Sequence, residues 1–138
     1  MEHTVYLGLG SNLGDKEHNI SRATALISGQ IGTVVRQSAL YYSEPWGFAS
    51  ANTFVNAVVC VVTTLSPRRL LLATQRIERQ MGRTEKSLGG VYHDRIIDID
   101  ILLYDDLHID YPCLKIPHPL MHQRDFVMIP LRSIMETP

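Results

Sequence analysis

Hydrophobic residues recur along this chain in two rhythms, short runs with period two and longer stretches with period near 3.6, and their succession predicts an element order. The run TVYLGL is strand-prone and leads into the glycine-bearing stretch GLGSNLG. Asp15 is placed to cap a helix in which Ile20, Ala23, Ile27 and Ile31 recur at helical spacing. Residues 33–43, TVVRQSALYYS, are strand-prone again, and SEPWGFASAN follows as a loop marked by proline, glycine and asparagine. A buried strand is expected over FVNAVVCVVTTL. Ser66 followed by Pro67 starts a second helix, since a serine oxygen caps and proline suits the first helical position. Leu70, Ile77 and Met81 form its apolar stripe and Gly82 ends it.

The fourth strand is RIIDIDILLY, and the order β-α-β-β-α-β predicts an α+β fold with a ferredoxin-like antiparallel sheet and its helices on one face. Residues 105–138 read as an appended hairpin and loops. No internal repeat or linker interrupts the chain, so residues 1–138 are expected to form one domain.

Two acids, Asp98 and Asp100, break the hydrophobic run of the fourth strand. Side chains alternate on a strand, so these carboxylates share one face while Ile97, Ile99 and Ile101 share the other. Two rises along a strand put the two Cβ atoms roughly 7 Å apart. Carboxylates at that spacing repel unless a cation lies between them. Hard oxygen ligands suit magnesium, which takes few protein carboxylates and completes its octahedron with water and phosphate oxygens. A pair facing solvent at the end of an antiparallel strand is the plainer alternative. Arg83, Arg95, Arg124 and His118 favour the phosphate reading, because guanidinium forks match phosphate oxygens.

GLGSNLG invites a dinucleotide-binding reading, but Gly8, Gly10 and Gly14 miss the Rossmann spacing by one residue, and there is no P-loop motif. The stretch is expected to act as a flexible lid or pocket wall. Tyr41, Tyr42, Trp46, Phe54 and Phe126 include candidates for sandwiching a flat heterocycle, and Asn56 offers both donor and acceptor to its edge. Trp46, in a loop between proline and glycine, is the best placed of the aromatics for a pocket or lid.

Composition narrows the function classes. The 138 residues are 45% hydrophobic and 20% charged, an ordinary globular balance, and the formal net charge of −1 argues against a broad nucleic-acid surface. Cys60 and Cys113 have no metal-like spacing, and Cys60 reads as a small buried hydrophobe, which fits a reducing cytoplasmic setting. No targeting segment opens the chain and no window is long enough to span a bilayer, so secretion and membrane insertion are not expected.

Taken in order, LGLGSNLGD, YYSEPWG, FVNAVV, LLLATQRIERQMGR, DRIIDIDILLY, IPHP and RDFVMIPL cover nearly the whole chain. Together they resemble the 6-hydroxymethyl-7,8-dihydropterin pyrophosphokinases of folate biosynthesis. The resemblance implies transfer of the terminal diphosphate of ATP to a pterin hydroxymethyl group with release of AMP, small-molecule substrates and a monomer. It implies that Asp98 and Asp100 hold two magnesium ions. Gln75, Glu78, Arg83, Arg95, His118 and Arg124 would line the ATP side, and Leu71 and Ile101 would contact the adenine region. The pterin would lie between Phe54 and Phe126, with Asn56 and backbone near Ser43 and Trp46 supplying hydrogen bonds. Arg83, Arg95, Asp98 and Asp100 would serve catalysis directly. The chain departs from the family where many relatives have G-P-R before the aspartates, with His93, Asp94 and Arg95 here, and Tyr92 stands where a lid tryptophan often stacks.

Loops at 10–16, 44–53 and 84–94 are expected to close over the substrates. A sheet-based RNA-binding module and a magnesium-dependent nucleotidyltransferase or cyclase are the alternatives. The first would place aromatics and basic residues where this chain has acids, and the second would release pyrophosphate.

Overall fold

A computed structural model of the chain describes residues 1–43, 53–82 and 96–135. Trp46, Arg83, Arg95, the expected loop at 84–94 and all but Thr53 of the expected loop at 44–53 lie outside these residues. The elements run β1 (His3–Ser11), α1 (Lys16–Gln30), β2 (Gly32–Gln37), β3 (Tyr41–Ser43), β4 (Phe54–Thr63), α2 (Pro67–Gln80), β5 (Asp98–Tyr104), β6 (Ile109–Tyr111), β7 (Leu114–Ile116) and α3 (Asp125–Met135). A single 3-10 turn, Met121–Gln123, precedes α3.

The main sheet is antiparallel, with strands in the order β2-β4-β1-β5. β3 also pairs with β4, at the opposite end from β2. The expected single strand over 33–43 is therefore two. Between them Ser38 leaves the ladder and clamps Val58 instead, its Oγ accepting from Val58 N at 2.9 Å while its own N–H donates to Val58 O at 2.9 Å. β6 and β7 form a separate antiparallel pair.

Both predicted helices start where local chemistry requires. Asp15 accepts from His18 N at 3.2 Å and Ser66 Oγ from Arg69 N at 3.3 Å, each satisfying an N–H of a first turn that has no intrahelical partner. Gly82, at φ +100°, takes the left-handed conformation that closes α2.

α1 and α2 bury Ile20, Ala23, Ile27, Leu70, Ala73 and Ile77 against Val5, Leu7, Leu9, Val59, Ile99 and Ile101 of the sheet. The opposite face is not open. α3 lays Val127, Leu131 and Ile134 over Val58, Cys60 and Leu102. The expectation of helices on one face thus needs correcting, and so does the reading of 105–138 as hairpin and loops, since 125–135 is helical. Pro130 lies inside the helix, where proline removes a backbone hydrogen bond, yet the apolar positions Val127, Pro130, Leu131 and Ile134 fall on one stripe. Burial of that stripe on the sheet outweighs the lost backbone hydrogen bond. α3 covers one end of its face, and what it leaves uncovered is where the candidate chemistry lies.

Candidate functional site

Register assembles the site. On the α3 side of the sheet Asn56 of β4 pairs with Gly10 of β1, which pairs in turn with Asp98 of β5. One step along, Val58, Gly8 and Asp100 form the next row. Strand alternation sends Ile97, Ile99 and Ile101 into the α1/α2 core, at no more than 6% exposed, and leaves Asp98 and Asp100 half-buried on the other face. The expected division of this strand between isoleucines and carboxylates is what the structure has.

GLGSNLG, expected as a lid or pocket wall, is largely strand. Gly8, Gly10 and Ser11 are strand residues of β1, and Ser11 and Asn12 are buried. The turn beyond them is held by Asn19, whose Nδ2 donates to Leu13 O at 2.9 Å and to Ser11 Oγ at 3.2 Å. Its strand part lies on the sheet face that carries the aspartates, which fits the wall reading. Its two strand glycines stand directly opposite the aspartates, a pairing that the reading as lid or wall did not include. Their i, i+2 spacing was the signal, since on a strand it puts both on one face.

Around the acids stand residues from the 118–126 segment. His118 donates its backbone N–H to Leu102 O at 3.1 Å, which sets the ring beside β5. Leu120 N donates to His118 Nδ1 at 3.3 Å, so the ring proton sits on Nε2, 3.9 Å from Asp100 Oδ1. Burial, reinforced by the Arg124 guanidinium, holds the imidazole below its ordinary range against the pull of Asp98. The approach to Asp100 is therefore that of a neutral imidazole to a carboxylate. Arg124 is buried, with its guanidinium carbon 5.6 Å from the centroid of the Phe126 ring, within cation–π range.

The third group comes from β3 and β4. Asn56 is 6% exposed and its Nδ2 donates to Ser43 Oγ at 3.1 Å. Phe54 is half-buried and lies on the same face, close above Gly10. Ser43, Phe54, Asn56, Asp98, Asp100, His118, Arg124 and Phe126 are thus brought together.

Leu71, Gln75, Glu78 and Ile101 are not part of that group. α2 packs on the other side of the sheet, where Leu71 rests against the main core and Ile101 is buried in it. Glu78 is 6% exposed and its Oε2 accepts from Ile99 N at 2.8 Å. The contact satisfies an N–H on the side of β5 away from β1, midway between the two aspartates. Gln75 lies half-buried one turn earlier on the same helix. Leu71, Gln75 and Glu78 of α2 and Ile101 of β5 thus lie on the helix-covered side of the sheet, opposite the carboxylates.

The acidic pair fits a magnesium ion by donor chemistry. Two carboxylates on one face of β5 supply hard oxygen donors and leave the ion's other positions to water and phosphate. Among the described residues no group of three or more His, Cys, Asp or Glu side chains is arranged to hold a metal.

Comparison with known proteins gives consistent matches. The sequence profile described as 7,8-dihydro-6-hydroxymethylpterin-pyrophosphokinase (HPPK) matches residues 6–136. A 2-amino-4-hydroxy-6-hydroxymethyldihydropteridine pyrophosphokinase of Porphyromonas gingivalis is 50% identical over 131 residues, 94% of this chain and 89% of the relative. Proteins of the same name from Aquifex aeolicus and Bacillus subtilis are 42% and 38% identical, over 95% and 99% of this chain and 79% and 80% of theirs. Among solved structures, an HPPK-DHPS in complex with substrates superposes with a TM-score of 0.78 at 14% identity over 97% of this chain. A Plasmodium falciparum HPPK-DHPS triple mutant does so with 0.73 at 17% over 96%. This chain spans 40% of each of those longer chains, and at such identity they speak to the fold alone. No helix among the described residues is long and apolar enough to cross a membrane.

Proposed function

Since the chain belongs to the 7,8-dihydro-6-hydroxymethylpterin-pyrophosphokinase family, we propose that it transfers the diphosphate of ATP to the hydroxymethyl group of 6-hydroxymethyl-7,8-dihydropterin, releasing AMP, as a step of folate biosynthesis. The observation that carries this reading is the cross-strand row Asn56, Gly10, Asp98. It sets a side chain able to read a heterocycle edge and a carboxylate able to anchor phosphate-bound cations on one face of the sheet. Adjacent strands are ~4.8 Å apart, so the two ends of the row are ~10 Å apart, about the span of a pterin ring and its hydroxymethyl arm.

In this reading the pterin lies between Phe54 and Phe126, with Asn56, Ser43 and the backbone near Trp46 hydrogen-bonding its edge. Asp98 and Asp100 would hold two magnesium ions, which would supply charge neutralisation for the phosphates. His118 and Arg124 meet the phosphates from one side, and Arg83 and Arg95 complete the charge neutralisation. The neutral state of His118 makes it a hydrogen-bond donor through Nε2 rather than a second cation. Adenosine lies across the outer edge of β5, beside Leu71, Gln75, Glu78 and the strand at Ile101, and the triphosphate turns over that edge toward the aspartates. Positioning and electrostatics then carry most of the rate enhancement.

The strand order β2-β4-β1-β5 is read as a ferredoxin-like sheet extended by a C-terminal hairpin and helix. The whole chain acts as one monomeric pyrophosphokinase domain in the cytoplasm, with small molecules rather than nucleic acid as partners. The deciding experiment is nucleotide analysis of reactions with ATP and magnesium, with and without the reduced pterin alcohol. AMP that forms only with the pterin, in equal amount to pterin diphosphate, is the expected result; ADP, or free pyrophosphate without pterin diphosphate, would overturn the assignment.

A further inference from the structure

Gly10 sits at the centre of the cross-strand row, with Asn56 on one side and Asp98 on the other. The described glycines in the left-handed region are Gly14 and Gly82, so the backbone at Gly10 is one that any residue adopts. What excludes a side chain there is space. A Cβ at Gly10 would stand 2.9 Å from Asn56 Oδ1, closer than such atoms come, and 3.7 Å from Phe54 Cδ1. Asn56 has little freedom to yield. It is 6% exposed, and its Nδ2 is committed to Ser43 Oγ at 3.1 Å, which turns Oδ1 toward Gly10. Gly8, two residues earlier on the same face, is different. A Cβ there would meet the two methyl groups of Leu102 at 3.4 Å, an ordinary van der Waals distance.

We propose that Gly10 is a positioning and specificity-determining residue for the pterin. Lacking a side chain, it lets the Asn56 amide lie flat across β1 in the orientation set by Ser43. It also keeps the floor between Asn56 and Asp98 clear, so that the pterin reaches along the row to the phosphates. Gly10 acts through Asn56 rather than by touching the nucleotide. The inference rests on the pterin reading above.

The test uses four variants: Gly10→Ala, Gly8→Ala, Asn56→Ala and the double variant of Gly10→Ala with Asn56→Ala. Pterin affinity is measured by calorimetry with a non-hydrolysable ATP analogue and magnesium, nucleotide affinity by the same method without pterin, and folding by thermal melting. Gly10→Ala is expected to weaken pterin binding at least tenfold while nucleotide affinity stays within twofold. Gly8→Ala should weaken pterin binding far less. In the Asn56→Ala background, where the obstructing oxygen is gone, adding Gly10→Ala should cost no more than a further twofold.

Three results would overturn the inference alone: pterin affinity of Gly10→Ala within threefold of wild type, an equal loss of nucleotide affinity, or a further tenfold loss when Gly10→Ala is added to Asn56→Ala. Should Gly10→Ala melt far below wild type, recovery of the melting temperature in the double variant supports the clash with Asn56, and failure to recover overturns it. Wild-type protein that binds no pterin would remove the functional reading and this inference with it.

Discussion

Removal of the Glu78 carboxyl group tests how the edge of β5 holds the acidic pair in place. Glu78 reaches from α2 to accept the Ile99 N–H at 2.8 Å, and it is 6% exposed. Glu78→Ala leaves that donor buried against the core with no acceptor. An orphaned buried N–H costs about 1–3 kcal/mol. Losing the buried Cγ methylene adds about 0.8 kcal/mol, so the variant should be destabilised by about 2–4 kcal/mol, at the upper end of ordinary substitutions. Glu78→Gln keeps an amide oxygen of similar reach and should lose no more than about 1 kcal/mol. Urea unfolding followed by circular dichroism measures both values. Because Ile99 stands between Asp98 and Asp100, the alanine variant should also need more magnesium for half-maximal turnover. The reasoning fails if Glu78→Ala unfolds within about 0.5 kcal/mol of wild type, the scatter of surface substitutions, or if the glutamine and alanine variants are equally unstable.

Further outcomes follow from the same geometry. Asp98→Asn and Asp100→Asn should each lower turnover by at least about 100-fold, the scale for removing a key electrostatic group, with melting temperatures near wild type because both side chains are half-buried on the pocket face; a rate within tenfold of wild type would contradict the metal role. Burial and Arg124 lower the folded pKa of His118 below the ordinary 6.5, so below that value the unfolded chain takes up the proton more readily. Stability should therefore fall as pH drops from about 6.5 toward the folded value, and His118→Gln should flatten that part of the stability–pH curve measured by urea titration. At the far end of the sheet, burial alone would raise the pKa of Asp105. The Thr4 N–H and the His3 ring, 2.8 and 2.7 Å away, outweigh it and lower the pKa instead. Asp105→Asn should then cost under about 1 kcal/mol near pH 6. The difference should vanish as pH falls through the folded carboxyl pKa, which the same titration would register.

Legibility in the sequence follows the range of the interactions involved. Period-two alternation put Asp98 and Asp100 on one face and the isoleucines on the other, and the caps at Asp15 and Ser66 marked both helix starts, because each depends on neighbours within one turn or one strand. α3 was hidden for the opposite reason. Pro130 argues locally against a helix, and only the sheet surface at Val58, Cys60 and Leu102 repays forming one. Likewise the break between β2 and β3 depends on Ser38 meeting Val58, twenty residues away.

The candidate site divides the same way. Residue types and the D-x-D spacing pointed to phosphate and divalent-cation chemistry from the sequence alone, and the ordered motifs pointed to the family. Which of those residues share a face, that Glu78 supports the strand from behind, that His118 is neutral beside Asp100, and that Gly10 separates Asn56 from Asp98 were decided by strand register and burial. Register is set by the sum of packing over the whole sheet, so no local pattern carries it.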